Sequence, residues 1–186
     1  MVYLYPKFPA KRLWAMIRIA LTGAAVAGLY GALHDQISYS ISPEYFTKMK
    51  FYQFSYADFG WPPRVFVSEI GFLATWWVGL FAGWFLARIG LTEIPIPVQR
   101  QAVVKAFAIV LLVTATCALI GVLLGWVVTQ SSDLNDWNHH QHALGIKDLP
   151  SFVIVAYLHL AGYVGALIGC LLAIVYVRRC VARSRL

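Results

Sequence analysis

The sequence predicts an all-α integral membrane protein: a single domain (1–186) built as a four-transmembrane-helix bundle with an ordered, aromatic-rich outer loop. Three observations carry that prediction. Of 186 residues, 60% are hydrophobic and only 12% are charged, against about 25% charged in a soluble domain. The apolar residues gather into four stretches, near 13–33, 65–87, 102–128 and 151–177. Each reaches the ~20 residues that a helix needs to cross about 30 Å of hydrocarbon. The basic residues, finally, cluster at the ends of these stretches that fall on one side.

The first span is interrupted only by Arg18, close enough to its end for the guanidinium to snorkel. The run exceeds a signal-peptide core and no A-x-A-like site follows it, so it reads as a retained span. The outer loop at 34–64 holds Tyr39, Tyr45, Phe46, Phe51, Tyr52, Phe54, Tyr56, Phe59 and Trp61. Disordered segments are poor in aromatics, so this loop is expected to be ordered. Within it Ser42-Pro43-Glu44 reads as N-cap, first-position proline and first-turn acid, which predicts a short helix over 43–50. The second span leads into a tight inner turn stiffened by Pro95 and Pro97. The third span is followed by a polar outer loop at 129–150, and Pro150 opens the fourth. None of the four alternates as a barrel strand would, and an isolated non-helical crossing would leave backbone groups unpaired in lipid.

Lysine and arginine set the orientation. Lys7, Lys11, Arg12, Arg18, Arg88, Arg100, Lys105, Arg178, Arg179, Arg183 and Arg185 fall on the side of the termini. Only Lys48, Lys50, Arg64 and Lys147 fall on the other. This places both termini in the cytoplasm, in a multi-pass protein of the cytoplasmic (inner) membrane. Asp35, Glu44, Asp58, Glu69, Asp133, Asp136 and Asp148 lie on the outer half, which gives that face a negative field. The formal charge of +7 is thereby a topology signal and argues for no nucleic-acid partner. The partners expected are the lipid bilayer and a membrane-protein partner or a second copy of the chain.

The run His34-Asp35-Gln36-Ile37-Ser38-Tyr39, with Ser42-Pro43-Glu44-Tyr45-Phe46 after it, resembles one recurring in an uncharacterised family of small bacterial inner-membrane proteins. The resemblance covers the first outer loop and its flanking helices. It implies a bacterial inner-membrane setting and carries no activity with it.

Small residues recur four apart in every span: Gly23, Ala27 and Gly31; Gly79 and Gly83; Gly121 and Gly125; Gly165 and Gly169. Such rows let helix backbones approach closely where lipid supplies no hydrophobic drive. At 100° per residue His34 projects with Gly23, Ala27 and Tyr30, and His159 projects with Gly162, Tyr163, Ala166 and Cys170. Both histidines therefore sit on faces that should meet another helix. Glu69 shares a face with Phe72, Trp76 and Gly83.

All five histidines (His34, His139, His140, His142 and His159) fall on the outer side. Ionisable groups inside spans usually face the bundle interior and often mark function. His34, Glu69, His139, His140, His142 and His159 are thus candidate ligands for a transition metal such as zinc, copper or iron, with Asp35 as a further ligand or base. His34 and His159 are also the pair that would serve as axial ligands of a haem b. The bland alternatives are a neutral His159 bonded to a tyrosine hydroxyl or a carbonyl, an interfacial His34, a Glu69 that snorkels to the outer surface or pairs with Arg64, and an exposed loop for the other three. A non-enzymatic accessory or assembly subunit suits the same composition. Several motifs are absent, which argues against the chemistries they serve. The cysteines form no C-x-x-C pair, no phosphate-binding glycine loop occurs, and no H-E-x-x-H motif occurs.

Overall fold

The computed structural model describes residues 10–131 and 134–184, and every regular element among them is helical. Lys7, Asp133 and Arg185, which entered the charge reading, lie outside the described residues. Four long helices form the body: α1 (Ala10–Ile41), α2 (Pro63–Ile89), α3 (Ile96–Ser131) and α4 (Leu149–Ser184). Each contains a stretch long and apolar enough to cross a membrane. Their outer faces carry leucine, phenylalanine and tryptophan, among them Leu29, Phe81, Leu123 and Leu167, a surface suited to contact with lipid tails.

The first connection is shorter than its polarity suggests. Hydropathy places a boundary after Leu33, but α1 continues to Ile41, because the polar residues beyond Leu33 find partners on the helix or its neighbour. The Ser38 hydroxyl donates back to the carbonyls of His34 and Asp35, each at 3.2 Å. The Gln36 amide donates to the Arg64 carbonyl at 2.6 Å and to the Ser68 hydroxyl at 2.8 Å. The helix stops where Pro43 forbids Ser42 the helical region; Ser42 is extended at φ −139°, ψ 94°. Ser42 occupies the N-cap position as expected, although its hydroxyl makes no capping bond. The helical run that follows goes beyond the predicted 43–50: Pro43–Tyr45, then a π-helical turn over Phe46–Lys50, then Phe51–Gln53.

The helices pack as two antiparallel pairs. Gly23 lies against Gly79, and Gly31 against Gly71, so partner numbers run in opposite directions along α1 and α2. The same holds for α3 and α4. A Cβ on Gly169 would stand 2.9 Å from the Val110 Cα, and one on Gly125 would stand 2.8 Å from the Ile154 Cα. Only a missing side chain lets backbones approach this closely. The Thr75 hydroxyl adds a bond across the first pair, 2.7 Å to the Ala27 carbonyl.

The two pairs meet mainly at their ends. Met16, Leu86, Phe107 and Val177 form a core near the termini. Tyr45, Phe46, Val67, Phe152 and Val153 form another at the end bearing the long connections, here called the loop end. Between these two plugs the pairs stand apart.

Candidate functional site

Three side chains converge beneath the loop-end core: His34 and Asp35 from the last turns of α1, and His159 from α4. Asp35 and His159 are 4% and 7% exposed, so both polar groups have left solvent. The His159 Nε2 lies 4.0 Å from the Asp35 Oδ1. The His34 and His159 rings meet edge to face, with centroids 5.1 Å apart. One ligand atom from each of the three can be chosen so that all lie within 4.8 Å of one another. An ion held at about 2.0–2.2 Å from each donor would bring these atoms to roughly 3–3.6 Å apart. Reaching that spacing from 4.8 Å would take movement of at least one of the three side chains.

The surroundings fix this geometry. The Tyr45 ring stacks on His159 at 5.0 Å with an 8° tilt. Phe46, fully buried, packs at 6.4 Å from the same ring. The Tyr30 hydroxyl stands 3.5 Å from the His34 Nδ1, at the limit of a hydrogen bond. The π turn puts Lys50 here too, its ammonium 6.0 Å from the Tyr45 ring and 5.8 Å from the Phe54 ring. Burial lowers the Lys50 pKa, and the Asp35 carboxylate opposes that shift. Burial also raises the Tyr45 phenol, with Tyr163 and Asp35 adding to it, so its hydroxyl stays protonated. Single π turns inside α-helices recur at functional sites.

One atom stands out. The His159 Nε2 is wholly buried without a hydrogen-bond partner. Leaving such a group unpaired costs about 1–3 kcal/mol. Among the described residues no tyrosine hydroxyl or carbonyl bonds to this nitrogen, and Tyr45 offers its ring face instead.

Beneath the three residues, in the gap between the helix pairs, lies a cavity of about 120 Å³. Gly23, Ala27, Tyr30 and His34 line it from α1, and His159, Gly162, Tyr163, Ala166 and Cys170 from α4. These are the two faces that helical periodicity groups together in the sequence.

The remaining predicted residues lie elsewhere. Glu69 is half-buried on a face shared with Phe72 and Trp76, which are both exposed, and it does not join the group. Its expected partner Arg64 bonds instead to the Gln36 Oε1 at 3.1 Å and the Ser40 hydroxyl at 3.3 Å, and it covers the Tyr39 ring. His139, His140 and His142 are exposed on the short helix Asn138–Leu144 and stand outside the group. That helix ends at Gly145 in the left-handed region (φ 63°), after which Ile146 and Leu149 enter the core. The chain thus anchors itself through its apolar residues and leaves the three imidazoles outside. Asp35 and Lys50 are the partners that residue spacing under-weighted. A lysine flanked by aromatics in a loop expected to be ordered was the available signal.

The arrangement also bears on haem. Axial imidazoles stand on opposite faces of the macrocycle, whereas the His34 and His159 rings touch edge to face and leave no layer between them. Two imidazoles and a carboxylate, by contrast, are a donor set for zinc or non-haem iron. Comparison with known proteins finds no match to this chain among family models, curated proteins or solved structures.

Proposed function

We propose that this chain is a small multi-pass inner-membrane protein that binds a divalent transition metal, zinc or iron, through His34, Asp35 and His159 at its outer face. The observation that carries the reading is the buried, unpartnered His159 Nε2, 4.0 Å from a buried carboxylate. A cation bonded to that nitrogen satisfies it and balances the Asp35 charge. Three protein ligands leave a coordination position open, as catalytic and delivery sites require and closed structural sites do not. His34, Asp35 and His159 all line the cavity between the helix pairs, so an ion held by them would border that space. The lysine and arginine asymmetry supports the outer placement. Elemental analysis of detergent-purified protein after metal-replete expression is the test. One equivalent of metal that is lost in His159→Ala is expected. A metal-free unmutated protein overturns the reading.

A further inference from the structure

Gly162 differs from the other helical glycines. A Cβ built on Gly121, Gly125, Gly165 or Gly169 would press into the facing helix at under 3.0 Å. One on Gly162 would meet only the Ala118 Cβ, at 3.8 Å. Close helix contact therefore does not require a glycine there, and neither does backbone conformation, since Gly162 lies within α4. What its small size preserves is the cavity, whose wall it forms together with Ala27 and Ala166.

The cavity has a polar end and an apolar body. His34, Asp35, Lys50 and His159 gather at the loop end. Farther in, the two threonines of the lining have their hydroxyls already bonded. Thr75 donates to the Ala27 and Gly71 carbonyls at 2.7 and 2.8 Å, and Thr114 donates to the Val110 carbonyl at 2.7 Å. The two threonine hydroxyls of the body are thus already engaged, while the head region holds the unpartnered His159 nitrogen and the Lys50 ammonium. Tyr163 and Val78, which line the cavity, are 57% and 37% exposed, so the space reaches the lipid-facing surface.

We propose that the gap between the helix pairs binds a single-chain lipid, its acceptor oxygen (carboxylate or quinone carbonyl) at His34, His159 and Lys50 and its chain running past Gly162 toward Cys170. The lipid enters sideways from the bilayer past Tyr163. The inference rests on the metal-site reading in that the head oxygen fills the open coordination position.

The test is saturation binding of radiolabelled palmitate and of decylubiquinone to the full chain in mild detergent, with metal content measured on the same samples. Saturable binding of one probe is expected, and which one binds assigns the head as carboxylate or quinone. Gly162→Leu, which fills the gap, should weaken that binding roughly tenfold or more, as expected when about two methylenes lose their burial, and should keep its metal. Gly162→Ala guards against misfolding and should retain both. Saturable binding without metal supports the lipid site and overturns the metal reading alone. Metal without saturable binding of either probe overturns the lipid site alone. Equal binding by the unmutated protein and a metal-replete Gly162→Leu also overturns it.

Discussion

The Glu44 carboxylate accepts the backbone N–H of Asp148 at 2.7 Å and that of Lys147 at 3.0 Å, so one Oε2 ties the first connection to the start of α4. These donors sit at the positive end of the α4 dipole, where a carboxylate is favoured. The contact holds Tyr45 and Phe46, its chain neighbours, over His159. Glu44→Ala should destabilise the fold by about 0.5–2 kcal/mol, the range for losing a helix cap, read as a lower Tm in detergent. Glu44→Gln, which keeps an acceptor without the charge, should fall between. An unchanged Tm in the alanine variant would show that the two connections are held by their apolar contacts alone.

Replacing His159 by phenylalanine separates the metal reading from simple packing. A phenyl ring can keep the stacking on Tyr45 and removes the buried, unpartnered nitrogen. The metal-free variant should therefore be at least as stable as the metal-free parent. Added zinc should raise the parent's stability by about 2.7 kcal/mol at a free concentration near 100 times its Kd and leave His159→Phe unmoved. Chelation should reverse the gain. Equal zinc shifts in both proteins would place any bound metal elsewhere.

Lys50 supplies a pH dependence whose sign follows from its burial. Its pKa in the folded protein lies below the ordinary 10.5, mainly through burial, with Asp35 pulling the other way. The folded state thus penalises the charged amine. The favourable contribution is complete above pH 10.5 and is lost as pH falls through the depressed folded value. Lys50→Met has no amine to titrate. Its Tm should exceed the parent's at neutral pH, and the gap should narrow as pH rises from the depressed folded value toward 10.5. A gap that stays constant with pH would mean that Lys50 is solvated in the folded state.

The four long helices were legible as continuous apolar runs, and the glycine rows and the cavity-facing sides of His34 and His159 because they are periodic. A 100° step places Gly162 and Tyr163 beside His159 whatever the neighbours do. The end of α1 was not legible from hydropathy: Asp35, Gln36 and Ser38 look like loop, and only their partners keep them helical. Pro43, which stops that helix, was the better boundary signal. The pairing of Glu44 with Lys147 and Asp148 spans two connections, and no local pattern encodes it. Nor did composition distinguish His159, which enters the core, from His139, His140 and His142, which stay exposed. That choice belongs to Ile146, Leu149 and Phe152, which fill the loop-end core.

Orientation can be tested with a native thiol. Cys180 lies near the end of α4, at the termini end, among Arg178, Arg179 and Arg183. With that end in the cytoplasm, a membrane-impermeant maleimide should reach Cys180 only after spheroplasts are permeabilised. A cysteine placed at the exposed position 142 (His142→Cys) should react in intact spheroplasts. The opposite labelling pattern would put the metal group at the cytoplasmic face and overturn the outer placement.

Two glycine-to-alanine changes should differ sharply although the chemistry is the same. At Gly71 the new methyl would be driven into the Gly31 carbonyl and would stand 2.9 Å from the Ala32 nitrogen. These are backbone atoms and cannot rotate aside, so α1 and α2 must separate. Overpacking of this kind destabilises by roughly 1–3 kcal/mol or more, and the loss of close approach should also break the Thr75 bond to Ala27. At Gly162 the methyl enters open space, 3.8 Å from Ala118, and the better helix propensity of alanine contributes up to about 1 kcal/mol. Gly71→Ala should therefore lower the Tm in detergent, while Gly162→Ala leaves it level or raises it. Similar losses in both would mean that the space beside Gly162 is closed in the folded protein, and that α4 packs there as tightly as α1 packs on α2.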